Sequence, residues 1–319
     1  MAATVWNIKD CKTVTGNRSM NFDCFTARDG VRIRYATARS FRTDPVALVV
    51  LLNGRAEFIE KYAGIITEFQ KKGFDVATLD WRGQGLSDRE LANRHKGYVK
   101  DFDSYISDLR MLFERNINPD HLPVFFVAHS MGGHIALRFI KEHPGVVQKA
   151  VLLSPMIDIV TGPFPKPIAR LIAKAACRNG FAERYVLGGK DYVPRNIRYE
   201  DNLFTHDREK FWIHHNAVER NPDLALGDVT WGWLDAAFRS IDLLMDPAYA
   251  AGVDAPVLLV GALEDRVVDV KAQRRFADLA PDCSFVPVKQ GYHELLFEKK
   301  EIRETVWHHL ETYINGESR

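Results

Sequence analysis

Val124-Phe-Phe-Val-Ala-His-Ser-Met-Gly-Gly133 joins a short apolar run, a serine and two closely following glycines to an immediate helical pattern. The run 124–127 predicts a buried strand, Gly132 and Gly133 let the chain pack tightly as it reverses, and Ile135, Ala136, Phe139 and Ile140 recur at helical spacing. Ser130 therefore falls on a strand-to-helix turn. Such a nucleophile elbow strains the serine backbone, lifts its hydroxyl above the sheet edge and aims the next backbone N–H, that of Met131, at a substrate oxygen. The G-x-S-x-G pattern reads Ala128-His129-Ser130-Met131-Gly132, with alanine for the first glycine; one methyl still suits a position that needs little bulk.

Outward from the elbow, the apolar runs at 46–52, 74–79, 149–154 and 256–262 read as buried strands, and helical patterns over about 59–72, 99–115 and 270–279 separate them. This alternation predicts an α/β fold with a mostly parallel, doubly wound sheet. An antiparallel hairpin, 20–25 with 31–38 around Arg28-Asp29-Gly30, precedes the sheet; a strand at 284–288 and a helix to about Ile314 close it. From Pro155 to about Ala255 no buried strand is evident, only helical stretches, which predicts a helical cap inserted over the carboxyl edge. The expected division is a core of 1–154 and 251–319 carrying a cap of 155–250.

The first cap helix, expected over 164–178, carries Lys166, Arg170, Lys174 and Arg178 at four-residue steps, with Ile168, Leu171, Ile172 and Ala175 elsewhere on it. It reads either as a lid helix with a solvated face or as a basic amphipathic helix resting on an anionic membrane. Further on, Trp231-Gly-Trp-Leu-Asp-Ala-Ala-Phe238 opens an aromatic helix. Core packing accounts for most such aromatics, and Trp231, Trp233 and Phe238 are candidates for lining an acyl channel. Gly83-Gln84-Gly85 lacks the third glycine and the following helix of a dinucleotide fingerprint, so that reading is rejected.

With 319 residues, 46% hydrophobic and 27% charged, the chain has the make-up of an ordinary globular protein. Lys+Arg 43 against Asp+Glu 42 offers no global attraction for nucleic acid. Cys11, Cys24, Cys177 and Cys283 lie far apart without a CxxC pair, fitting neither a zinc site nor a disulfide scaffold, and so suggest a reducing compartment. The first ten residues lack a basic start followed by an apolar core, so no signal peptide is expected.

A serine hydroxyl needs an imidazole to take its proton and a carboxylate to hold that imidazole. Asp265 follows the strand at 256–262 and His293 the strand at 284–288, so both reach the edge that carries Ser130, in the chain order Ser, acid, His. Glu264 and Asp269 compete with Asp265, and His206 in the cap rivals His293. His129 flanks the serine, with its side chain expected to point away. A second oxyanion donor must come from the loop after Leu52, where the backbone N–H of Arg55 is the natural candidate beside that of Met131. The side chain of Arg55 is a separate matter, meeting either a phosphate or Glu57.

Together these residues resemble the α/β-hydrolase superfamily and, within it, the monoacylglycerol lipase and lysophospholipase L2-like group of the serine aminopeptidase S33 type. The resemblance spans nearly the whole chain and rests on Asn53-Gly-Arg-Ala-Glu-Phe-Ile-Glu-Lys-Tyr62, Asp80-Trp-Arg-Gly-Gln-Gly-Leu-Ser87, His129-Ser-Met-Gly-Gly133, Glu264-Asp-Arg-Val-Val268 and His293-Glu-Leu-Leu-Phe-Glu298. It implies a catalytic Ser130, Asp265 and His293, with Arg55 and Met131 as oxyanion donors. Asn53 stands where the group usually has histidine. The implied activity is hydrolysis of a lysophospholipid or monoacylglycerol ester through an acyl-enzyme, without metal or organic cofactor. The implied placement is cytoplasmic, with peripheral contact at the inner membrane. A proline iminopeptidase-like amide hydrolase is the competing enzyme, for which Glu183, Asp191, Glu200 and Asp201 offer acidic cap residues. Haloalkane or epoxide chemistry would require aspartate at position 130, and a non-catalytic binding protein would have lost one of the three side chains.

Overall fold

The computed structural model describes residues 20–115, 117, 122–162 and 164–316; Cys11 and the stretch read for a signal peptide lie outside them. Strands β1 (Asn21–Thr26) and β2 (Arg32–Ala38) pair antiparallel, with Asn21 opposite Thr37 and Thr26 opposite Arg32. Gly30, at φ +90°, turns the hairpin by donating to Ala27 O. The chain then alternates through β3 (Leu48–Leu52), α1 (Ala63–Lys71), β4 (Asp75–Leu79), α2 (Asp103–Arg115), β5 (Val124–His129), α3 (Met131–Glu142) and β6 (Lys149–Leu153). Four helices follow: α4 (Lys166–Arg178), α5 (Arg208–Arg220), α6 (Trp231–Leu244) and α7 (Pro247–Ala250). The sheet resumes with β7 (Val257–Ala262), α8 (Val270–Leu279), β8 (Cys283–Val288) and α9 (Lys300–Asn315).

In space the strands run β1-β2-β4-β3-β5-β6-β7-β8, and every pair from β4 to β8 is parallel. The continuous apolar runs follow from burial on both faces. In β3, Leu48, Val50 and Leu52 enter the core under α2, α3 and α8, while Val49 and Leu51 enter the core under α1 and α9. Residues 59–62, expected to begin α1, instead form a 3₁₀ turn.

Between β6 and β7 the described residues contain helices and turns but no named strand. The basic stripe on α4 is divided by its surroundings. Ala169 and Ala173 are the buried side of the helix, which packs on Phe238 and Ile241 of α6. Lys166 pairs with Asp158 at 2.8 Å and Asp269 at 2.6 Å; Arg170 pairs with Asp242 and lies 4.7 Å from the Phe238 ring centre. Only the outer half of the stripe, Lys174 and Arg178, is exposed, beside Ile168 and Leu171 at 48% and 68% exposure. Among the described residues no helix is long and apolar enough to cross a membrane.

The cysteine reading needs correction: Cys24 is disulfide-bonded, whereas Cys177 and Cys283 are free. The cysteines therefore give no argument for a reducing compartment.

Gly132 marks where the fold is tightest, because a Cβ there would lie 2.4 Å from Leu52 O and 2.5 Å from Asn53 O. Gly64 on α1 has nothing within 4 Å. Gly132→Ala is expected to lose roughly 1–3 kcal/mol or more by overpacking. Gly64→Ala should instead gain up to about 1 kcal/mol. Urea unfolding of both variants checks the pair, and equal shifts would mean that α3 does not approach β3 as closely as described.

Candidate active site

Ser130 sits between β5 and α3 at φ 52° and ψ −117°, a conformation that L residues rarely adopt. Three backbone hydrogen bonds hold it: Ser130 N to Leu153 O, His134 N to Ser130 O and Met156 N to Ser130 O. Ala128 is fully buried, so the elbow accommodates its methyl.

His293 Nε2 lies 2.9 Å from Ser130 Oγ, and His293 Nδ1 lies 2.6 Å from Asp265 Oδ2. The other carboxylate oxygen, Oδ1, accepts from Val267 N at 2.8 Å and Val268 N at 3.0 Å. Burial alone would raise the Asp265 pKa, but the His293 hydrogen bond and charge, aided by the two N–H groups, hold it below the ordinary value. The competitors lie elsewhere. Glu264 is exposed, Asp269 caps α8 by accepting from Lys271 N and Ala272 N, and His206 meets Glu298 at 2.8 Å. The arrangement can pass a serine proton to an imidazole whose other nitrogen is fixed by a carboxylate.

The loop after β3 abuts the serine: a Cβ on Gly54 would come within 3.2 Å of Ser130 Cβ. Asn53 is fully buried, donates through Nδ2 to Leu79 O and accepts from Trp81 Nε1 through its backbone carbonyl. That is how the loop is anchored without the histidine usual in the resembling group. Gln84, in the turn that lacks a dinucleotide fingerprint, donates to Gly54 O at 2.8 Å and accepts from Ala56 N at 3.2 Å. Arg55, whose backbone N–H is the expected donor, lies between these two held peptides.

Glu57 ties the site together from below. Its buried carboxylate accepts from Gly54 N, from Tyr62 Oη at 2.7 Å and from Lys61 Nζ at 2.7 Å, and lies 3.0 Å from His129 Nδ1. His129 Nε2 in turn lies 3.2 Å from His293 O. Both ring nitrogens of His129 thus face acceptors, and only the imidazolium can donate to both. Burial works to lower the His129 pKa, but Glu57 outweighs it and raises the value above 6.5. Burial likewise opposes ionisation of Glu57, and Lys61 and His129 overcome it, holding the carboxyl well below its ordinary range. The ring nitrogens of His129 are engaged by Glu57 and His293 O, and through the latter the side chain supports the loop that carries His293.

A cleft of about 460 Å³ adjoins this centre, lined in part by Arg55, Lys190, Tyr192, Phe204, His214 and Asp228. Trp231, Trp233 and Phe238 are not among its lining residues. Trp233 packs on Phe102 at 5.8 Å and Phe238 on α4, so neighbouring side chains occupy their faces. Arg55 does not pair with Glu57; its guanidinium donates to Gly227 O and lies 5.6 Å from the Trp233 ring centre.

Glu57→Gln breaks a buried ion network, for which the expected loss is about 3–5 kcal/mol. The Glu57 contribution is present above its ordinary pKa of 4.5 and is lost as pH falls through the lower folded value. The His129 contribution is present below 6.5 and is lost as pH rises through the higher folded value. The stability difference between wild type and Glu57→Gln should therefore be greatest between about pH 4.5 and 6.5. Denaturant midpoints measured from pH 4 to 8 test this, and a flat difference would contradict the ionised pair.

A family model described as "Serine aminopeptidase, S33" matches residues 43–300. Lysophospholipase L2 of Escherichia coli (strain K12) is 32% identical over 301 residues, covering 91% of this chain and 86% of that protein. Monoacylglycerol lipase of Mycolicibacterium smegmatis is 28% identical over 289 residues, covering 87% and 91%. A solved structure of a soluble variant of monoglyceride lipase from Saccharomyces cerevisiae, in complex with a substrate analog, superposes with a TM-score of 0.75 at 16% identity, covering all of both chains. With its mostly parallel sheet, its N-terminal hairpin and these structural neighbours, the chain has the α/β-hydrolase fold. The chain belongs to the serine aminopeptidase S33 family and is a serine hydrolase.

Proposed function

We propose that this protein hydrolyses the single acyl ester of a lysophospholipid or monoacylglycerol through an acyl-enzyme on Ser130. The observation that carries the reading is the continuous contact from Ser130 Oγ to His293 at 2.9 Å and on to Asp265 at 2.6 Å. His293 takes the Ser130 proton as Oγ attacks the acyl carbonyl, and the oxyanion is received by the N–H groups of Arg55 and Met131. His293 then gives its proton to the departing glycerol oxygen. Water, deprotonated by the same imidazole, attacks the acyl-enzyme; fatty acid leaves and Ser130 regains its proton. No metal or organic cofactor enters this sequence. Relatives named lysophospholipase L2 and monoacylglycerol lipase support the ester class.

Residues 155–250 act as the cap over this centre, and the exposed outer part of α4 is its contact with membrane. Ile168 and Leu171 present apolar surface there, and Lys174 and Arg178 supply charge complementary to anionic lipid. On this reading the protein, which has no spanning helix among its described residues, works peripherally at the cytoplasmic face of the inner membrane. The amide-hydrolase reading has less support. Of the acidic cap residues it relied on, Asp191 and Asp201 line the cleft, but Asp191 accepts from Tyr185 Oη and Asn93 Nδ2, and Asp201 lies 3.2 Å from Arg198.

Purified protein is expected to release fatty acid from lysophosphatidylcholine and from monoacylglycerols. Ser130→Ala and Asp265→Asn should each lower kcat by about 10⁴-fold or more. Turnover of an aminoacyl amide without lipid turnover would move the assignment to the peptidase reading, and equal activity of wild type and Ser130→Ala would refute the mechanism. In vesicle flotation at low salt, wild type should bind anionic vesicles and Leu171→Glu/Lys174→Glu should not. Indifference of binding to these changes would remove α4 from the contact.

A further inference from the structure

Around the cleft Lys61 and the acidic side chains are held by partners, and the exposed ammonium of Lys190 meets solvent. Lys61 bridges Glu57 at 2.7 Å and Glu294 at 2.6 Å, and the Asp228 carboxylate accepts from Lys190 N at 2.9 Å. The Arg55 guanidinium stands apart. Among the described residues its hydrogen-bond acceptor is a carbonyl, Gly227 O, and its Nε is buried without a partner. Burial depresses its pKa despite the nearby charge of Asp228, as expected of a cation without a counterion in contact. The group is nonetheless held in place. Trp233 lies beneath it at 5.6 Å, and Gly97 leaves room above it, where a Cβ would come within 2.7 Å of Nη2.

A half-buried, oriented guanidinium with no carboxylate in hydrogen-bond contact, on a residue that lines the cleft, suits an oxyanion, and phosphate matches its planar fork. The position in the chain identifies which phosphate. The Arg55 N–H is the proposed partner of the ester oxygen, and its guanidinium lies one side-chain length away. In a lysophospholipid, the three-carbon glycerol bridge separates the ester from the phosphodiester by a comparable span. A monoacylglycerol has only a hydroxyl there, which leaves the guanidinium without its counterion.

We propose that the Arg55 side chain is the phosphate-recognition group of the cleft and makes the enzyme selective for lysophospholipids over monoacylglycerols of the same chain length. This inference rests on the ester-hydrolase reading and concerns a specificity-determining side chain, distinct from the backbone N–H of the same residue. Lys190 lines the same cleft and is exposed, so it can approach the phosphate from the solvent side.

The test measures kcat/KM for lysophosphatidylcholine and for the monoacylglycerol of equal acyl length in wild type, Arg55→Gln, Arg55→Lys and Gly97→Ala. Gly97→Ala displaces the guanidinium without altering the residue that supplies the N–H. The ratio of the two kcat/KM values should fall roughly 10- to 100-fold in Arg55→Gln, the range of a charge-assisted hydrogen bond, and by a smaller factor in Gly97→Ala. Arg55→Lys should keep part of the preference. Calorimetric titration of glycerophosphocholine into Ser130→Ala should give binding that is lost in Ser130→Ala/Arg55→Gln, which reads recognition without turnover. Titration of inorganic phosphate separates the sources: a head-group site binds the diester at least as well, and a site taking only free phosphate overturns the proposal. An unchanged ratio in Arg55→Gln and Gly97→Ala, with Ser130-dependent release from both lipids, overturns it while leaving the ester-hydrolase reading intact. Absence of lipid turnover in wild type is the separate result that removes that reading and this proposal with it.

Discussion

The buried carboxylate of Glu57 is the constraint on which the geometry of the site depends. Four donors from three parts of the chain converge on it: Gly54 N in the loop after β3, Lys61 and Tyr62 in the following 3₁₀ turn, and His129 at the end of β5. Each donor alone would be an ordinary capping or pairing contact. Together they fix the oxyanion loop relative to the strand that delivers Ser130, and through His129 they reach the carbonyl of His293. A buried ion is costly unless fully hydrogen-bonded, and this one is. Removing it would free a loop, a strand end and the base-bearing turn at once.

The parallel sheet brings these parts to one edge, but topology alone leaves them loose by more than catalysis tolerates. The missing precision comes from close backbone approach and from turns that donate inward. Gly132 lets α3 come against the carbonyls of Leu52 and Asn53, and Gln84 clamps the peptides on both sides of Arg55. A donor held by its neighbours before substrate arrives needs no reorganisation when charge develops, which is the condition for strong oxyanion stabilisation. Ser130 can keep a positive φ for the same reason, since its own backbone groups are bound to Leu153, His134 and Met156.

Much of this was legible because the signals are local or periodic. The elbow is a strand, a serine and paired glycines within ten residues, and the order of Ser130, Asp265 and His293 follows from the loops after β5, β7 and β8. The network beneath the site was not legible, because Glu57 and His129 are 72 residues apart and nothing in either local pattern specifies their contact. A partial signal existed: Glu57 precedes Lys61 by four residues, a spacing at which an acid and a cation can pair across one helical turn. The basic stripe of α4 was visible as periodicity, but Asp158, Asp242 and Asp269 lie on other elements, so sequence spacing could not show that half of it is neutralised. The disulfide at Cys24 likewise has no local signature.

The protonated state of His129 bears on how the proposed base works. Its ring centre lies 4.7 Å from that of His293. At this range a fixed positive charge opposes a second one by energies on the order of a few kcal/mol at the effective dielectric of such sites. The base acts as neutral imidazole, the form able to accept the Ser130 proton. Left uncompensated, the opposition would penalise the imidazolium formed once that proton arrives. Two carboxylates limit the penalty: Glu57, 3.0 Å from His129 Nδ1, draws off much of the His129 field, and Asp265, 2.6 Å from His293 Nδ1, supplies attraction directed along the bond that must carry the new charge. The pair of acids thus divides the work. Asp265 stabilises the charged intermediate state, and Glu57 makes it possible to keep a second imidazolium close enough to orient the loop without quenching the base.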